Sequence, residues 1–218
     1  MKLELKRSLF FIIVIFAAAF ANGQTTTRKP VDPADFPGKL IDGRYTNRYF
    51  DLELDVPPGW LLMNSEEVEA TRQIGTDGLK TNSDRVNRLL DDASKGEVVL
   101  LALSKKPLGS IENSAFAIGV AKQPSSAITA RMVAEASKSL LLKNAANKLL
   151  KDITVETIAG KSFASFELTL GMYGQSVPLK YYATMVGEYS LTISLSAGDS
   201  LDLKAMDTSL RSIRFVRK

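Results

Sequence analysis

The 218-residue sequence contains no cysteine, no histidine and only one tryptophan. Without cysteine there is no disulfide, thiolate nucleophile or thiolate metal site, so the fold rests on its apolar core. Without histidine the commonest general base near neutral pH and the commonest zinc ligand are both missing. No G-x-x-x-x-G-K-[ST] loop and no G-x-G-x-x-G occurs, so nucleotide phosphates have no local binding signature. No serine is followed three residues later by lysine, which removes the usual serine–lysine nucleophile arrangement. Strong charge is lacking too. The formal charge is +4, and Lys2, Lys6 and Arg7 against Glu4 account for +2 of it, leaving +2 for the remainder. That is too near neutral to imply nucleic acid as a partner.

What is present begins with an export signal. Residues 1–23 carry a basic start, an unbroken apolar run from Leu9 to Ala21, and Ala21-Asn22-Gly23 where a signal peptidase requires small residues; cleavage is expected before Gln24. The apolar run is shorter than the ~20 residues a spanning helix needs, so no stable membrane span is expected after cleavage. The missing cysteine excludes a bacterial lipoprotein. Residues 24–43, with TTT, three prolines and two glycines, read as a flexible lead-in. Residues 44–218 are expected to form one globular domain.

That domain is organised around Arg44 to Trp60. Phe50, Leu52, Leu54 and Val56 alternate with Tyr49, Asp51, Glu53 and Asp55, the period of a strand with one apolar and one acidic face. Asn47-Arg48 suggests a hairpin to a short preceding strand. Pro57-Pro58-Gly59 stops the strand and swings Trp60 over the core. Asn64 or Ser65 caps a helix expected to stop near Gly75, and the following stretch to Ser83 reads as a loop. Ser83 or Asp84 caps a second helix with Val86, Leu89 and Leu90 on one face. Val98 to Leu103 is continuously apolar, the mark of a strand covered on both faces and central in its sheet, and Ala115 to Ala121 is its return. Ser125 or Ser126 caps the longest helix, with Ile128, Met132, Ala136 and Leu140 every four residues beside Val133 and Leu141, and with a pattern that allows it to continue to Leu150. Strands at Thr154 to Ile158, Lys161 to Leu170, Val177 to Val186 and Tyr189 to Ala197 follow, with hairpin turns at Ala159-Gly160 and Gly187-Glu188. Asp199 or Ser200 caps a closing helix with Leu203, Met206, Leu210 and Ile213, ending at Phe215. The expected class is α+β: an α/β/α sandwich with a largely antiparallel central sheet flanked by helices on both faces.

Tyr45-x-Asn47 with Phe50, Leu52, Leu54 and Pro58-Gly59-Trp60 resembles the start of PsbP-like and DcrB-like domains, a fold shared with a small Ran-binding protein of the eukaryotic nucleus. Ala159-Gly160-Lys161, Lys180-Tyr181-Tyr182 and the terminal Leu210-Arg211-Ser212-Ile213-Arg214-Phe215 extend the resemblance from Tyr45 to Phe215. The resemblance implies a non-catalytic module; family members include extrinsic subunits docked on photosystem II, envelope proteins and a nuclear GTPase binder. A photosynthetic role is not implied, because the leader is a plain secretory signal and the metal-binding histidines attributed to PsbP proteins have no counterpart.

Several constellations bear on chemistry. Asp51, Glu53 and Asp55 repeat at about 7 Å along one strand face and offer hard oxygens for calcium, but a flat row cannot wrap an ion without loop oxygens. Glu66, Glu67 and Glu69 suit the positive end of a helix. Glu97, Glu112 and Glu167 are the carboxylates available to a glycosidase, with nothing in their spacing to select a pair. Lys105, Lys106 and Lys122 are placed at adjacent strand ends as a small basic patch. Tyr173, Tyr181, Tyr182 and Tyr189 offer an aromatic binding surface, against core packing as the simpler role. No catalytic, metal or cofactor-binding residue is assigned, and no cofactor is expected. The expected function is a non-catalytic binding or assembly module of the bacterial envelope, periplasmic or secreted, with another envelope protein as partner. The alternatives are a small-ligand or metal carrier, or a hydrolase using carboxylates or serine.

Overall fold

The computed structural model describes residues 38–216 except 86, 89–90, 92–95, 111–112 and 173–174. The leader and most of the lead-in therefore lie outside the described residues, as do Val86, Leu89 and Leu90. Asp84 and Arg85 are helical, and the Asn87 amide donates to the Ser83 carbonyl, so a helical turn starts where the sequence places it.

The strands form two antiparallel sheets rather than the single central sheet expected. The first has the order β1-β2-β3-β11, with β1 Gly38–Ile41, β2 Arg44–Asn47, β3 Leu52–Asp55 and β11 Arg214–Phe215. The second has the order β4-β5-β6-β10-β9-β8-β7, with β4 Leu61–Leu62, β5 Val98–Ser104, β6 Ala115–Lys122, β7 Lys148–Ile158, β8 Lys161–Met172, β9 Gln175–Val186 and β10 Tyr189–Ser196. The small sheet was hidden because its outer strands are very short and one falls in the Pro-rich lead-in. The overlooked signal is Asp42-Gly43: φ values of 50° and 75° make a two-residue hairpin turn that brings Ile41 opposite Arg44. The hairpin from β2 to β3 uses Arg48 to Asp51 as its loop, closed by the Asn47 Oδ1, which accepts from the amides of Tyr49 (3.1 Å) and Phe50 (3.2 Å).

Among the described residues, the longer helices are α1 Ser65–Leu79, α2 Ala130–Leu141 and α3 Ser200–Arg211. Asn64 caps α1 through a reciprocal box with Glu67, at 2.9 Å each way. The helix runs through Gly75 to Leu79 instead of stopping. Thr71, Gly75 and Leu79 are buried at four-residue spacing, and the packing of that face offsets the cost of about 1 kcal/mol for a helical glycine. Thr129, not a serine, caps α2 and accepts from the Met132 amide at 3.2 Å. The buried face of α2 is Val133, Ala134, Ser137 and Leu141, while Met132 is 37% exposed. Nor does α2 continue toward Leu150. The Asn147 side chain donates to the Leu141 carbonyl and accepts from the Gly171 amide, both at 2.8 Å, ending the helix and starting β7 along β8. Asp199 caps α3, and Met206 and Leu210 are buried as the period requires, but the helix ends at Arg211 rather than Phe215: Ile213 is buried beyond it, and residues 214–215 pair with β3.

One face of the large sheet carries Phe116, Ile118, Leu191, Ile193 and Leu195, and packs on Tyr45, Leu52 and Leu54 of the small sheet, Trp60, and Met206 and Leu210 of α3. The other carries Phe166, Leu168, Leu179 and Tyr181 and packs on Val133, Ala134 and Leu141 of α2, with Leu79 of α1. The protein is thus α+β, with a second sheet sharing one face with a helix.

Candidate functional site

The most built polar surface lies where β7, β8 and β9 meet the last turn of α3. Register places Lys151, Glu167 and Lys180 in one cross-strand row and Thr154, Ser165 and Tyr182 in the next. Lys151 and Thr154 are three apart, a spacing that puts side chains on opposite faces of a regular strand. An irregularity in the β7–β8 register between them brings both to the same face. Asp207 and Arg211 of α3 form the wall. The Arg211 Nη1 lies 2.6 Å from Glu156 Oε2, and its Nε lies 3.8 Å from Asp207 Oδ2. The hydrogen bond that Arg211 donates to Glu156 raises the Arg211 pKa. Lys180 Nζ is 3.6 Å from Glu167 Oε1, and the Thr154 and Ser165 hydroxyls are 3.3 Å apart. These groups enclose a cleft of about 290 Å³. Tyr182 is 5% exposed and lines it; burial first, then Glu156 and Asp207, push its pKa up, so the phenol stays protonated.

A second surface is apolar. The start of α2 and the β7–β8 hairpin bound a groove of about 400 Å³ lined by Ile128, Ala130, Val155, Ala164 and Met185, with Arg131 and Lys161 at its rim. Val155 is 55% exposed, and farther along the edge strand Leu149 and Leu150 are exposed as well.

The candidate residues of the sequence are scattered by the fold. Asp55 is ion-paired with Arg44 at 3.0 Å, an exposed strand-face pair. Glu67 closes the α1 cap and Glu69 pairs with Arg72 at 2.6 Å, both helix-surface roles. Glu112 and Tyr173 lie outside the described residues. Glu97 accepts from Thr192 at 2.9 Å on the α2 side of the large sheet. Glu167 alternates with Phe166 and Leu168, which face α2, so it lies on the opposite side and cannot pair with Glu97. The lysine patch does not form: Ser104 pairs with Ala115 at one end of β6, whereas Lys122 is at the other end, 2.8 Å from Glu188. Tyr181 is core, stacked on Phe166 with centroids 4.9 Å apart and bonded to Ser137 at 2.9 Å. Tyr189 packs edge-on against Phe50. Of the aromatic set, Tyr182 borders the cleft, alone among the described members. Among the described residues, no group of three or more acidic side chains is arranged to hold a metal ion.

The fold is PsbP-like. The solution structure of cyanobacterial PsbP (CyanoP) from Synechocystis sp. PCC 6803 superposes with a TM-score of 0.50 at 14% identity, over 82% of this chain and 95% of that one. LpqN of Mycobacterium tuberculosis, described as involved in cell envelope biogenesis, gives a TM-score of 0.46 at 13% identity, over 75% of this chain and 82% of that one. No protein-family model matches the chain, and a search of curated proteins finds no match. At such identities the likeness concerns the fold, and activity must be argued from the site.

Proposed function

We propose that this PsbP-like protein is an exported, non-catalytic binding or assembly module of the bacterial envelope, whose partner is another envelope protein met at the apolar edge of the large sheet. The leader, residues 1–23, is removed, and the domain works in the periplasm or outside the cell. Among the described residues no helix is long and apolar enough to cross a membrane.

The observation that carries the reading is strand β7. It is the long outer edge of the seven-stranded sheet; its exposed Val155 lines an apolar groove, and Leu149 and Leu150 are exposed farther along the strand. An apolar groove continued by exposed apolar side chains on a sheet edge supports an interaction surface. Register irregularities flank Lys151, and lysine on an edge discourages strand addition. The partner is therefore met through side chains at that end, with regular edge backbone available from Thr154 to Ile158.

Site-specific photocrosslinking tests this. A crosslinker at Val155 or Leu150 is expected to trap one discrete envelope protein in the source organism. The same probe at Leu201, an isolated apolar residue 77% exposed on α3, is expected to trap none. Equal trapping at all three positions, or none anywhere, removes the edge as the docking surface.

A further inference from the structure

We propose that the cleft between β7–β9 and the end of α3 binds a neutral polyhydroxylated ligand of the saccharide class. The inference goes beyond the protein–protein reading and uses a different face of the molecule. Its starting point is a contrast among the buried tyrosines. The Tyr45 hydroxyl donates to the Leu100 carbonyl at 2.9 Å, Tyr181 bonds Ser137, and Tyr189 faces the Tyr49 hydroxyl at 3.4 Å. Tyr182 is also buried as a residue, yet its hydroxyl makes no hydrogen bond within the described residues and lines the cleft. That oxygen is not enclosed: among the described residues the buried side-chain polar atom without a partner is Gln123 Oε1, so the phenol is open to the cleft and available to what enters it.

The rest of the floor says what enters. The hydroxyls of Thr154, Ser165 and Tyr182 form the middle row, each able to donate and accept. On one side stands Glu167 against Lys180, and on the other Glu156 and Asp207 against Arg211. Three cations and three carboxylates line the cleft, so it is neutral in sum. An anion approaching Lys180 meets Glu167, and a cation approaching Glu156 meets Arg211. A neutral ligand with several hydroxyls meets neither penalty, since each hydroxyl can accept from a cation or hydroxyl and donate to a carboxylate. Three strands about 4.8 Å apart and one two-residue step of about 7 Å give a floor on the scale of a pyranose ring or two. Lys151 has no ion pair among the described residues, which makes a small anion the sharpest competitor.

Amide chemical-shift titration of the ¹⁵N-labelled protein decides between them. The probes are maltotriose, cellotriose and triacetylchitotriose, with sodium sulfate and glycine as charged comparators. At least one trisaccharide is expected to shift the amides of Thr154, Ser165 and Tyr182 saturably, with Kd on the order of 1 mM or tighter. Tyr182→Phe is expected to weaken that binding about tenfold, the loss of one hydrogen bond, without lowering Tm. Saturation at the cleft by sulfate or glycine alone, no trisaccharide effect there, or unchanged affinity in Tyr182→Phe overturns the assignment. Cleavage of the bound trisaccharide would support the site and overturn the non-catalytic reading. Crosslinking at Val155 reports separately on the docking edge.

Discussion

Trp60 shows how a single residue is fixed by its local sequence. Gly59 takes φ 74°, the Trp60 amide donates to the Pro57 carbonyl, and the indole joins the core shared by both sheets. Trp60→Ala is expected to cost about 3–5 kcal/mol, read as a Tm lower by about 10 °C in calorimetry. An unchanged melting temperature would show that the turn, not the indole, holds the corner. The Ser137–Tyr181 bond is the opposite kind of residue-scale feature, invisible in sequence because a serine on a helix face reads as solvated. Tyr181→Phe removes the buried bond to Ser137 and is expected to cost about 1 kcal/mol. The double variant with Ser137→Ala should cost less than the two single changes summed, which a double-mutant cycle in urea measures.

At the scale of elements, caps and turns were legible and helix lengths were not. The Asn64–Glu67 box, the Asp199 cap and the hairpin turns at Ala159-Gly160 and Gly187-Glu188 are short-range chemistry, readable from neighbours. The cap of α2 lies a few residues beyond the serines expected, and Thr129→Ala should cost about 1 kcal/mol in chemical denaturation. The end of α2 depends on Asn147 bridging to Gly171, 24 residues away. A Cβ at Gly171 would meet the backbone of Ala146, so Gly171→Ala is expected to lower stability by about 1–3 kcal/mol. A urea midpoint equal to that of the unsubstituted protein would show that the 146–147 turn yields freely.

For the whole molecule, Tyr45, Tyr181 and Tyr182, whose pKa values are raised, set an alkaline limit. Burial raises Tyr45, Tyr181 and Tyr182 above the ordinary value of about 10. The folded state therefore holds protons that the unfolded chain releases, so stability falls as pH rises above about 10 and is fully present below it. Melts followed by circular dichroism are expected to be flat from pH 7 to about 9.5 and to drop beyond, with a smaller drop in Tyr181→Phe. An alkaline drop identical in that variant would assign the effect elsewhere.

The sequence by itself determined what neighbouring residues decide: alternation in the longer strands, the caps of α1 and α3, the turns at Ala159-Gly160 and Gly187-Glu188, and the α+β class. Leu52 and Leu54 are buried where the strand period puts them, and Met206 and Leu210 where the helix period puts them; Phe50 and Ile213 are buried too, but from the loop before β3 and the turn after α3. Only the tertiary structure decided that the strands divide into two sheets, because β1 and β11 are too short to carry a period and exist through pairing. Packing chose between two apolar stripes on α2, burying Val133 and Leu141 and leaving Met132 at the surface. The cleft also belongs to tertiary structure. Lys151, Glu167, Lys180 and Arg211 come from four elements, and they meet because strand register and one local irregularity set which side chains share a face.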